Sequence, residues 1–421
     1  MFYSYLVISW AYLLLPIVTA AIVLSYSRAT GRLWPIRMFL RTCSIGAFVG
    51  GAVATSYSFM GGVITSPRVM ASACYLGVAA LCVVTGLNWF LFNVVSTVCR
   101  SKRIENRTAS EAMRQSITGV LHAALLVIIG LPYLGSVLLL YRPKVPGPGD
   151  PRTLIDASFE EVRLRATDGI AIDAWWVPTT RNSRTDGRGS LKQGHDTVLL
   201  CHGFGRDKAG DLFLAGDLVA NGYNLLAIDL RAHGRSGGQF TGFGGIESRD
   251  VLGAVQWLRT RHPDQSRRIL GLGESLGAVA LIEAAADPGP NGRAIDAIAA
   301  YNPYDSLSPL IKTLAAEHTI PAGQWVLNRC IVPIASAQLG IDLQSVSPAK
   351  RVQDLWPRPI LILGNSATTG PLGAGSYNLY RNALQPKYSY WRDDVDPQAI
   401  LYDKAAALTV RIFFDGERSI L

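Results

Sequence analysis

The sequence predicts an α/β domain, a mostly parallel sheet with helices on both faces, preceded by an all-α transmembrane bundle. Three observations predict it. Residues 1–141 hold four long apolar runs, whereas from Phe159 onward short β-rich runs alternate with helical stretches. Most of those short runs are apolar throughout, as strands covered on both faces are. Finally, RRILGLGESLGAVALIEAAA reads as strand, tight turn and helix around one serine, Ser275.

The composition agrees with two such halves. A chain of 421 residues exceeds one ordinary domain, and it is 49% hydrophobic but only 17% charged. The apolar runs are Tyr5–Tyr26, Met38–Ile64, Met70–Val98 and Ile117–Tyr141. Each reaches the length of about twenty residues that a helix needs to cross a hydrocarbon core. The first reads as a span and not a cleaved signal, because Arg28 follows it and no basic residue leads it. Arg28, Arg32 and Arg37 fill the first loop; Arg100, Lys102, Arg103, Arg107 and Arg114 fill the third. Positive loops stay cytoplasmic, which puts both termini and the whole downstream half on the extracytoplasmic side. No Asp, Glu or Lys lies deep in a run, so the bundle reads as an anchor and not as an ion path. Gly46 and Gly50 offer a close-packing face in the second run. The Pro/Gly-rich segment 142–158 reads as a linker, and residues 159–421 as the α/β domain.

Within that domain, Phe159–Arg165 and Ile170–Val177 alternate around Asp168-Gly169, a hairpin signal. Buried strands are expected at Thr197–Cys201, Asn224–Asp229, Arg268–Leu272, Ala294–Tyr301 and Pro359–Gly364. Helices are expected at Asp211–Asn221, Ser248–Arg261 and Leu276–Ala286, and a lid over residues 306–350.

Gly273-Glu274-Ser275-Leu276-Gly277 is a GxSxG motif, weak alone but sharpened by the strand before it and the helix after it. That context holds a serine on a strained turn with its hydroxyl exposed. An acyl-transfer site also needs two backbone N–H donors aimed at the developing oxyanion. The residue after the nucleophile, Leu276, supplies one; the loop after TVLLC, at His202-Gly203-Phe204-Gly205, supplies the other from Phe204. His202 and His233 read as structural neighbours of these loops.

The ordered segments EEVRLRATDGIAIDAWWVP, TVLLCHGFG, AIDLRAHGRSGG and GLGESLGA resemble the monoacylglycerol-lipase and serine-aminopeptidase-like branch of the α/β-hydrolases. The match runs from about Phe159 to Tyr301. It implies an α/β-hydrolase-type fold, Ser275 as nucleophile, and Phe204 and Leu276 as oxyanion donors. It also implies an acid after the strand RPILILG and a histidine after KYSYW, in the order Ser, acid, His. The sequence departs there. Ala367 stands where the acid belongs, and RDDVDPQ holds no histidine; His318 is the last histidine in the chain.

Asp305, just past AIAAYNP, is the substitute acid, and His318 on the lid is the candidate base. Asp393 or Asp394 could fill the vacant histidine place, but a carboxylate near pKa 4 is a poor base for a serine hydroxyl. Two functions follow. One is a membrane-anchored serine hydrolase of ester or amide substrates, lipids included. The other is a non-catalytic relative that binds or scaffolds. The net charge of +9 is explained by the loops between apolar runs, without the basic stripe that nucleic acid requires. The six cysteines show neither a disulfide framework nor metal-ligand spacing, and no cofactor motif occurs, so no metal or cofactor is expected.

Overall fold

The computed structural model describes residues 131–416 apart from 142–143, 145, 180–183, 186–190, 193–194, 312–324, 326, 365–370 and 393–398. Scattered positions between 20 and 78 are also described. The chain divides into two compact units, residues 1–139 with 326–340, and residues 140–325 with 341–421. The segment 306–350 is thus shared between them.

Helix α1 (Leu131–Leu140) belongs, but for its last residue, to the first unit; in the second unit, helix α2 (Pro151–Ile155) is capped by Asp150, whose carboxylate accepts the Thr153 amide. Strands β1 (Glu160–Arg165) and β2 (Ala171–Val177) form an antiparallel hairpin. Its turn is closed by Gly169 in the left-handed region at φ 89°. A two-residue pair, β3 (Arg184–Thr185) and β4 (Leu191–Lys192), stands apart from the main sheet. There follow β5 (Thr197–Cys201), α3 (Phe213–Ala220), β6 (Asn224–Ile228) and α4 (Ser248–Arg261). The site is carried by β7 (Ile269–Glu274), α5 (Leu276–Ala285) and β8 (Ile295–Tyr301). Helix α6 (Val332–Leu339) belongs to the first unit; the second continues with β9 (Ile360–Gly364), α7 (Pro371–Asn382), β10 (Lys387–Trp391) and α8 (Lys404–Asp415).

The main sheet has eight strands in the order β1-β2-β6-β5-β7-β8-β9-β10, parallel from β6 to β10. Because alternate side chains leave a strand on opposite faces, each strand feeds two apolar layers. Leu199, Leu226, Ile228 and Ile298 face α4, α5 and α7, meeting Val255, Leu258, Leu281 and Leu379. Val198, Leu200, Leu225 and Leu270 face α3 and α8, meeting Leu218, Val410, Phe413 and Phe414. With both faces covered, β5 is buried at every position. Truncating one such leucine to alanine costs about 2–5 kcal/mol, because the cavity relaxes only in part.

The first three apolar runs fall almost entirely outside the described residues, as does the fourth up to residue 130. Among the described residues, no helix is long and apolar enough to cross a membrane. The predicted bundle is therefore not part of the described fold. α1, of ten residues, covers only the end of the fourth run.

Candidate active site

Ser275 lies between the last residue of β7 and the first of α5, partly exposed, with φ 47° and ψ −105°. A side-chain-bearing residue there costs about 1–3 kcal/mol, so its surroundings must hold it. They do: its amide donates to the Tyr301 carbonyl at 2.8 Å and its carbonyl accepts the Val279 amide at 3.1 Å. The flanking glycines are required by contact. A Cβ at Gly273 would meet the Ala278 nitrogen at 2.6 Å, and one at Gly277 would overlap the Cys201 carbonyl. That close approach seats the first turn of α5 against the end of β5, where the loop carrying Phe204 begins. Leu276 is buried at the first position of α5, where an N–H has no partner within the helix.

The β5 loop is tied down on both sides of Phe204. Gly203 donates its amide to Asp211 Oδ2 at 2.7 Å, and Gly205 to His233 Nε2 at 3.4 Å. The Phe204 ring is 37% exposed and stacks on Phe243, with centroids 5.6 Å apart. Phe243 is itself left-handed, at φ 54°, and its carbonyl accepts the Tyr304 hydroxyl.

Both described histidines near the serine are occupied. His202 Nε2 accepts the Leu230 amide at 3.0 Å while Nδ1 lies 2.8 Å from the Gly203 carbonyl. A carbonyl only accepts, so the proton sits on Nδ1. His233 repeats the pattern, with Nδ1 2.9 Å from the Arg231 carbonyl. Each ring is a bridge between loops, with both nitrogens engaged.

Asp305 lies four residues beyond Tyr301 in a tight turn. Its carboxylate accepts Asn378 Nδ2 at 3.0 Å, and its carbonyl accepts the Ala349 amide at 3.1 Å and the Ser347 hydroxyl at 3.3 Å. His318, Ala367, Asp393 and Asp394 lie outside the described residues.

One group was missed in the sequence. Glu274 precedes Ser275, and its carboxyl fills the space that a side chain on Gly203 would need. Burial first, then the charge of Asp211, push its pKa up to about 8 against the opposing pull of Arg206. The signal was a carboxylate ending the apolar strand ILGLG, at the variable position of the motif. A second ionic cluster is balanced by comparison. Arg231 pairs with Asp250 and Asp168, each at 2.7 Å, and Arg249 adds a second cation at 3.3 Å from Asp168. Burial raises Asp250 to about 6 even with Arg231 beside it.

A mostly parallel sheet with a serine elbow after its central strand and a glycine-rich loop beside it defines an α/β-hydrolase fold. The comparisons agree: residues 192–368 match the model of the Hydrolase_4 family, serine aminopeptidase S33. The chain is 29% identical over 230 residues to the uncharacterized Bacillus subtilis protein YqkD, covering 52% of this chain and 72% of that one. It is 22% identical over 255 residues to the uncharacterized Escherichia coli protein YfhR, covering 60% and 76% respectively. Among solved structures, the Pyrococcus furiosus esterase Pf2001 overlays with a TM-score of 0.50 at 20% identity, over 66% of this chain and 98% of that one. The second unit has the fold of the α/β-hydrolases, and the match over residues 192–368 supports that superfamily.

Proposed function

We propose that the protein is a serine hydrolase acting on ester or amide substrates through Ser275, with the Leu276 and Phe204 amides binding the oxyanion. The observation that carries the reading is the elbow. A non-glycine residue is kept at φ 47° between strand and helix, supported by a glycine on each side of Glu274-Ser275-Leu276. Strain of this kind persists only where its surroundings enforce it, and it leaves a hydroxyl at a helix N-terminus, where negative charge is favoured. The esterase Pf2001 and the serine aminopeptidase model point to the same chemistry by analogy of fold.

The step itself needs a proton acceptor for the Ser275 hydroxyl. Asp305 is the carboxylate proposed to orient it, and His318 the proposed base. The two described histidines beside the serine are both spent on loop bridges. That observation favours a second reading, a hydrolase fold retained for binding without efficient turnover. A fluorophosphonate probe separates the two: covalent labelling that disappears in Ser275→Ala supports the hydrolase, and an unlabelled native protein supports the binding role.

The same proposal places residues 1–141 in a membrane, with the hydrolase unit on its extracytoplasmic side and lipid esters among the substrates. The arginine-rich first and third loops support it. Reporter fusions at Arg103 and after Leu421 should lie on opposite sides of the membrane; finding them on the same side would remove this topology.

A further inference from the structure

We propose that Glu274 is a positioning residue that holds the oxyanion loop at Gly203 while uncharged and releases it on ionising. The geometry comes first. The Glu274 carboxyl lies against the Cα of Gly203, leaving no space for a side chain there. The Gly203 amide donates to Asp211 Oδ2 at 2.7 Å, and the other oxygen of Asp211 pairs with the Arg206 guanidinium. Arg206 closes the loop on itself, its amide donating to the Gly203 carbonyl at 3.2 Å. The residues that place Phe204 therefore share one small cluster of two carboxyls and one guanidinium, with Asp211 buried and Arg206 and Glu274 half-buried.

The charged groups reaching Glu274 from the elements around it are few. From the β5 loop and the turn after it come Arg206 and Asp211. Arg206 also reaches the Tyr402 hydroxyl ahead of α8. Tyr301 is the register partner of Glu274 on β8 and is held neutral by burial. His202 and His233 point their nitrogens at backbone groups. One cation thus serves two acids. Asp211 is fully buried and already paired, so the second negative charge would fall on Glu274 beside it. An ionised Glu274 repels Asp211 and competes for Arg206. Either effect loosens the bond that fixes the Gly203 amide.

The sign follows by linkage. A closed loop keeps Glu274 protonated up to about pH 8, whereas an open, solvated loop lets it ionise near an ordinary glutamate value. Closure therefore takes up a proton. The closed form is most favoured below about pH 4.5 and loses that advantage as pH rises toward 8, beyond which the difference is constant.

The test reads the loop directly. Hydrogen–deuterium exchange is followed on peptides spanning residues 202–206 in the full chain, wild type against Glu274→Gln, from pH 5 to 9. Taking the ratio of the two proteins at each pH removes the intrinsic pH dependence of exchange. Wild-type protection is expected to fall by at least about tenfold relative to Glu274→Gln between pH 5 and 8 and to level off above it. Peptides over residues 225–228 should show no such fall. Asp211→Asn removes the neighbouring charge, so the fall should shrink; this variant and the wild-type comparison of the two peptides keep the test usable if Glu274→Gln fails to fold. A flat ratio, or a fall shared equally by residues 225–228, overturns the proposal. A role for this positioning in catalysis rests on the serine-hydrolase reading, which the fluorophosphonate reaction tests separately. If Ser275 is labelled, its rate should fall over the same pH range relative to Glu274→Gln. If it is never labelled while the loop still responds, the hydrolase reading fails and the positioning role stands.

Discussion

At the carboxyl ends of β5 and β7 the chain is tied at nearly every residue. Ser275, Gly203, Gly205 and His202 each have a hydrogen-bond partner within 3.4 Å, and Gly277 touches the Cys201 carbonyl. At the carboxyl ends of β8 to β10, along the same edge of the same sheet, the parts are different. Asp305 is bound to Asn378 and to the turn at 347–349, and the two segments that should bring an acid and a histidine read NSATTGP and RDDVDPQ. The half around Ser275 depends on fixed backbone shape, which glycines and hydrogen bonds supply whether or not chemistry proceeds. An acid–base half of the kind the resemblance implies would depend on particular side chains, which can be replaced without disturbing the sheet. The fold can therefore be kept whatever stands at those positions.

The sharpest way to break this contrast is Ser275→Ala. All fluorophosphonate labelling should vanish while the thermal unfolding midpoint stays within a few degrees; labelling that persists would place the nucleophile elsewhere. Next in size is repair of the weak side. Ala367→Asp with Asp394→His should raise ester turnover by about 10²-fold or more, because restored triad members act as a unit. A double variant no faster than the native protein would mean that the deficit is not in these two side chains. Gly277→Ala probes the strong side. Its Cβ would overlap a main-chain carbonyl, so β5 or α5 must shift, at roughly 3 kcal/mol and several degrees in the unfolding midpoint. Unchanged melting would show the elbow to be more pliable than its contacts imply. The smallest effect is expected from Asp305→Asn, less than about 1 kcal/mol, since a partly exposed carboxylate exchanges one amide contact for another. A loss of Ser275 labelling by an order of magnitude or more would instead make Asp305 the working acid.

Much of this was legible in the sequence. The strand Thr197–Cys201 and the helix Ser248–Arg261 have the expected bounds, and Asn224–Ile228 and Ile269–Glu274 differ from expectation by one or two residues. Continuous apolar runs and turn glycines carry that information locally. What sequence reasoning missed depends on contacts across the chain. Glu274 stands at a variable position of the motif, and only the approach of Gly203, 71 residues earlier by number, makes it a half-buried acid. The stacking of Phe243 on Phe204 joins two loops far apart in the chain, so spacing alone does not reveal it. Within the Pro/Gly-rich segment the pair Asp150 and Thr153 caps a helix, a local signal that the proline density obscured.

The strap that enters the hydrolase unit at Leu140 has a mechanical consequence. The Leu140 carbonyl accepts the Thr241 amide at 2.9 Å, Lys144 Nζ donates to the Ser236 carbonyl at 2.6 Å, and the Gly147 amide donates to Asp207 at 2.5 Å. Those three anchor points belong to the loops that carry Phe243, His233 and Phe204. Tension on the chain ahead of Leu140 would thus be delivered along a load path through the walls of the serine site before it reached any strand of the sheet.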